Sequence, residues 1–193
     1  MEQNIQKKLI STSKAMLLIF RILFVILILM AIIPWIAPTT EVGKFLLSLQ
    51  GFSAIMNASH KNIDAFMLTV TPLSRLLGFI GSIITLLPLL LGTMIMLKLS
   101  KNYVSGNVFN LDNAKSYSLL GIIYFVSAIL VQPIYQMFFY ACATINNPAG
   151  QRFIAFTIGV DSLTAMFFAI VLIAIAQVMK LGQKISDDQE FML

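Results

Sequence analysis

Ser59 and His60 stand side by side with Asp64 four positions after His60, the three residue types of a hydrolytic triad. The spacing argues against that chemistry. Adjacent side chains diverge in a helix and in a strand alike, and no nucleophile motif surrounds the serine. His60 reads as a solvated loop residue. It is the only histidine and Cys142 the only cysteine, too few for a metal site and for any internal disulfide. The 11 methionines are scattered among Leu and Ile as flexible packing residues. The sequence thus offers no catalytic residue, metal ligand or cofactor motif, and the expected class is non-enzymatic.

What polar chemistry remains lies in apolar surroundings, where an ionisable or amide group is a functional candidate by default. Arg75 and Asp161 each open a long apolar stretch and are candidates for an interhelix ion pair. A simpler reading makes Asp161, followed by Ser162-Leu163-Thr164, an N-cap and Arg75 a headgroup anchor, because both roles need only local geometry. Gln132 and Gln136 lie in the outer half of the third stretch and are candidates for interhelix polar contacts. They would line a solute path or, more commonly, hydrogen-bond neighbouring helices at roughly 0.6 kcal/mol each.

Four apolar stretches must position these groups: about 15–36, 76–97, 118–140 and 162–179. Roughly 20 apolar residues of helix match the hydrocarbon thickness of a bilayer, and open strands cannot cross it. Hydrophobic residues are 59% of the chain and charged ones 11%, which excludes an ordinary soluble domain. The expected fold is all-α: a polytopic membrane protein of one domain, 1–193, with four transmembrane helices in a bundle and a partly structured outer loop. Pro88 and Pro133 should kink their helices. Gly78, Gly81 and Ser82 form a small face that admits close packing.

Basic residues set the orientation. Lys7, Lys8, Lys14, Arg21, Lys98, Lys101, Lys115, Lys180 and Lys184 fall on one side, outnumbering Lys44, Lys61, Arg75 and Arg152 on the other. Both termini should face the cytoplasm. The formal charge of +5 is largely this topology signal, so direct nucleic-acid binding is not expected. Trp35, Phe138, Phe139 and Tyr140 on the outer side, with Tyr103 and Tyr117 on the inner, suit interfacial belts.

In the outer loop, 38–75, Val42, Phe45, Leu46 and Leu49 form one apolar helical face that lies on the bilayer or caps the bundle, and Gly51 ends it. Residues 63–70 fit a short strand or a helix. In the inner loop, 98–117, Ser105-Gly106-Asn107 marks a turn and Asn110 an N-cap, with Asp112 in the first turn. The tail, 180–193, carries Asp187, Asp188 and Glu190 before an apolar end, a pattern that would let it touch the lysine-bearing loop.

The run Gly106-Asn107-Val108-Phe109-Asn110-Leu111-Asp112-Asn113-Ala114-Lys115 resembles the G-x-(I/V)-F-(S/N)-x-x-N-(A/V)-K signature of the DUF2975 family. Residues Gly182 to Phe191 look like that family's terminal G-x-x-(I/L)-x-x-(D/E)-(Q/E)-x-(L/F) segment. Ser116 departs from the pattern, which more often has a basic residue after the lysine. The resemblance implies a small protein of the bacterial inner membrane. Some members sit beside genes for helix-turn-helix regulators, which implies a regulatory role.

Gly106, Phe109, Asn113, Lys115, Gly182 and Glu190 are therefore the candidate cytoplasmic interaction residues. The expected partners are the lipid bilayer and a protein, either a small regulator or a second copy. The expected function is sensing or relay through these contacts. The alternative is a small solute carrier or channel component.

Overall fold

The computed structural model describes the backbone of residues 2–190 and the side chains of residues 8–185. Helices make up 81% of the chain, and no strand occurs among the described residues. Four helical stretches, Lys8–Ile36, Pro72–Val104, Leu111–Thr144 and Val160–Ile185, are long and apolar enough to cross a membrane. The chain is an all-α, multi-pass membrane protein.

Helix α1 spans Glu2–Ile36, and three short helices follow: α2 (Glu41–Leu49), α3 (Phe52–Ala58) and α4 (Ile63–Leu68). Helix α5 spans Pro72–Val104. The third stretch is not one regular helix. It comprises α6 (Leu111–Val126), a π-helical turn at Ser127–Val131, and α7 (Gln132–Thr144). Pro133 accounts for the irregularity, because its missing N–H leaves a carbonyl in the preceding turn without its usual donor. Helix α8 spans Val160–Glu190. All four long helices run past the apolar windows read from the sequence.

Two compact units share the long helices between them. The first holds residues 1–25, 89–128 and 163–193, and the second 26–88 and 129–162.

Small residues set the packing of the first unit. Ala114 on α6, Ala128 in the π-helical turn, and Ala169 and Ala176 on α8 are fully buried. A Cβ on Gly121 would stand 2.6 Å from Ile173 and 2.8 Å from the Ala169 carbonyl, so α6 and α8 touch nearly backbone to backbone there. Leu18, Ile19 and Ile22 of α1 are more than half exposed, the apolar surface a lipid-facing helix presents.

The second unit has a true hydrophobic core. Trp35, Leu47, Phe52, Met56, Phe66, Met67, Phe139 and Cys142 are its buried centre. Phe52 meets Trp35 and Phe139 edge-on at 6.0 and 5.1 Å between centroids. The interfacial belt expected of Trp35, Phe139 and Tyr140 is therefore corrected: all three are buried, because α2, α3 and α4 fold over them. Of residues 63–70, Ile63–Leu68 form helix α4, capped by Asn62 on the Asp64 N–H. Helix α2 turns Gly43 and Leu47 inward and leaves Val42, Phe45 and Leu49 exposed. Gly51 follows it at φ 81°, the left-handed conformation that ends a helix.

Candidate functional site

In the first unit the 98–118 segment is built by its asparagines. Asn110 accepts from the Asn113 N–H at 2.7 Å, and so caps α6 with Asp112 in the first turn. Asn113 is fully buried. Its Nδ2 donates to the Asn107 and Val108 carbonyls at 2.7 and 2.9 Å, and its Oδ1 accepts from Asn102 Nδ2 at 2.6 Å. One side chain thus ties the turn, the end of α5 and the start of α6 together. That occupation is structural and withdraws Asn113 from any surface.

Gly106 takes φ 83°, so a side chain here would be strained although nothing lies within 4 Å of its Cβ position. The hydroxyls of Tyr103 and Tyr117 share a hydrogen bond of 2.9 Å. Phe109 lies against Gly182 of α8, whose Cβ position is 3.4 Å from the ring, yet the ring is 62% exposed. The loop and the tail segment therefore meet at these two motif residues. Leu111 is half exposed beside them, and Lys98, Lys101 and Lys115 are exposed. The side chains of Lys7, Asp187, Asp188 and Glu190 and all of Phe191 to Leu193 lie outside the described residues.

The polar candidates of the second unit are engaged in packing. Gln136 is buried. Its Oε1 accepts from the Thr157 N–H at 2.7 Å and its Nε2 donates to the Thr157 carbonyl at 3.1 Å. Gln132 Oε1 accepts from Ser162 Oγ at 3.2 Å. Both amides hold the approach to α8. Arg75 and Asp161 are exposed, and among the described residues no ion pair joins them. The N-cap expected of Asp161 is displaced: α8 begins at Val160, which puts Asp161 inside the first turn, where the helix dipole still favours its charge.

The Ser59, His60 and Asp64 group is dispersed. His60 sits at φ 54° in an exposed turn, and Asp64 Oδ1 accepts from Lys44 Nζ at 2.6 Å. Lys44 also reaches Glu41 at 2.7 Å, and the two carboxylates raise its pKa above 10.5. Among the residues with described side chains, no group of three His, Cys, Asp or Glu is placed to hold a metal.

Sequence reasoning passed over Lys61. Its ammonium donates to the Ala143 carbonyl at 2.5 Å and to Asn147 Oδ1 at 2.6 Å, a cation at the carbonyl end of α7. Ser74, Thr71 and Asn146 form a second polar knot. No local pattern announces the bonds of Lys61, Thr71 and Ser74 to residues 143–147, which join positions more than 70 residues apart. An open pocket of about 380 Å³ is lined by Ala141, Thr144, Ile145, Arg152, Phe153 and Ile154. Arg152 Nε is held by the Asn147 carbonyl at 2.8 Å.

No protein-family model, curated protein or solved structure matches the chain.

Proposed function

We propose that the chain is a non-enzymatic protein of the bacterial inner membrane, with both termini in the cytoplasm, that senses or relays through protein contacts of its inner loop and tail. One observation carries the reading. Phe109 lies against Gly182 on a segment that Asn113 ties down, yet it is 62% exposed, and Leu111, Lys98, Lys101 and Lys115 of the same 98–117 segment are exposed as well. An exposed aromatic on a tied-down, lysine-bearing segment is the composition of a protein contact with an acidic partner. The distribution of lysine and arginine supports the orientation. The likeness of residues 106–115 and 182–191 to the DUF2975 family supports the bacterial membrane and a regulatory partner.

The carrier alternative rested on Gln132 and Gln136. Their amides are bonded to Ser162 and Thr157, which favours the contact reading. A photoreactive residue at position 109, in cells, tests it. The expected result is a discrete crosslinked protein that Lys115→Glu weakens. Labelling by lipid alone, or a substrate flux in proteoliposomes, would overturn it. Reporter fusions at each end test the orientation independently.

A further inference from the structure

Residues 153–159 form no helix, and they run alongside α7 within the second unit. Two of them turn both backbone groups toward that helix. Phe153 donates its N–H to Thr144 Oγ1 at 3.4 Å and accepts from the same hydroxyl at 3.1 Å. Thr157 exchanges two hydrogen bonds with the Gln136 amide, as with a neighbouring strand.

In an extended chain, successive residues direct their N–H and C=O groups to opposite edges. Phe153 and Thr157, four residues apart, bond to Thr144 and Gln136, eight residues apart on α7 and so about 12 Å along it, a span that four residues cover only when extended. By that alternation Ile154, Phe156 and Ile158 present theirs on the other edge, away from α7. The N–H and C=O groups of Ile154 and Phe156, and the N–H of Ile158, have no partner among the described residues. The side chains of these same three residues are 60%, 54% and 61% exposed.

We propose that this edge docks an extended apolar segment of a partner protein by main-chain pairing. The donors and acceptors recur every second residue, the spacing of a strand edge, and such an edge is completed by another extended backbone. Lipid supplies no such partners. The strap is already fixed at both ends, by Thr144 and Gln136, while Ala155 packs on the core, so little ordering is left for binding. The proposal needs only this local geometry. It is independent of the cytoplasmic reading, and either can fail alone.

The test uses the full chain in nanodiscs and a fluorescent peptide of alternating Thr and Val, followed by anisotropy. A second peptide, N-methylated at two adjacent central residues, has both of its own edges blocked. Saturable binding is expected for the first and at least about tenfold weaker binding for the second. Phe156→Pro removes an outward N–H from the strap and should weaken binding similarly, whereas Phe156→Leu should not. Equal binding of both peptides would reduce the site to an apolar patch and overturn the proposal, as would no binding at all. Should Phe156→Pro fail to fold, the peptide pair on the unaltered chain still decides. A Phe156→Cys disulfide dimer formed in membranes in a Cys142→Ala background would assign the edge to a second copy and overturn it too.

Discussion

The indole of Trp35 occupies the space that a Cβ on Gly78 would need, and its Nε1–H donates to Ser82 Oγ at 2.8 Å. The small face of α5 thus receives an aromatic ring, with one buried donor satisfied by the residue one turn on. Gly81 completes the face against the Phe139 ring, its Cβ position 2.6 Å from that ring.

Gly78→Ala should therefore destabilise far more than Ser82→Ala. Overpacking against a large buried ring costs about 1–3 kcal/mol, whereas loss of a single interhelix hydrogen bond in a membrane protein averages roughly 0.6 kcal/mol. Thermal unfolding in detergent, followed by tryptophan fluorescence, measures both, since Trp35 is the only tryptophan. Equal effects would show that the ring tolerates the extra methyl by moving.

Removing Asn113 should open the 105–110 turn without unfolding the helices. Asn113→Ala deletes two donated bonds and one accepted bond in a fully buried place, and each orphaned buried group costs about 1–3 kcal/mol. Asn110→Ala removes only a cap, at about 1 kcal/mol. Limited proteolysis should cleave Asn113→Ala within the turn, with Asn110→Ala intermediate. Equal resistance in both variants and the unaltered chain would place the rigidity elsewhere.

The contrast between these two asparagines shows what local sequence conveys. Asn110 acts on its own helix, so its type and position announced it. Asn113 acts on Asn102, in another helix, and on carbonyls whose position the turn decides. The four apolar stretches were legible because hydrocarbon burial depends on length and composition alone. Burial of Trp35 and Phe139 was not, because it depends on three short helices folding back. Only α2 announced itself as a helix; the α4 segment fitted a strand equally well, and α3 gave no signal of its own. Pro133 marked a break in the third stretch, but whether the freed carbonyl yields a kink or a π-turn depends on packing around Ser127–Val131.

Arg75 and Asp161 should be energetically independent. No ion pair joins them and both are exposed, so a double-mutant cycle with Arg75→Gln and Asp161→Asn should give a coupling near zero. Asp161→Asn alone should cost about 0.3–1 kcal/mol, the worth of an acidic group in a first helical turn. A coupling above roughly 1 kcal/mol would show that the charges meet.

Gln136→Leu should free the strap from α7, since it removes both bonds to the Thr157 backbone. A spin label at position 158 should become markedly more mobile, while one at position 119 in α6 should not change. Gln132→Leu removes only the contact with Ser162 and should have the smaller effect. An unchanged spectrum at position 158 would mean that Thr144 alone holds the strap.

Lys61 supplies the pH dependence. Burial lowers its pKa from 10.5, so between the lowered folded value and 10.5 the unfolded chain binds more protons than the folded one. Stability contributed by this group must then rise with pH across that window, and be least below it. The neutral amine still donates to the Ala143 carbonyl and Asn147 Oδ1, so those bonds survive deprotonation. Lys61→Met cannot titrate and leaves both acceptors empty. Its deficit in melting temperature relative to the unaltered chain should therefore widen as pH climbs through the window. The group is partly exposed, so solvent screening keeps the change small. A deficit that shrinks with rising pH would mean that the ammonium gains more from its two acceptors than burial takes away, and would reverse the direction assigned here.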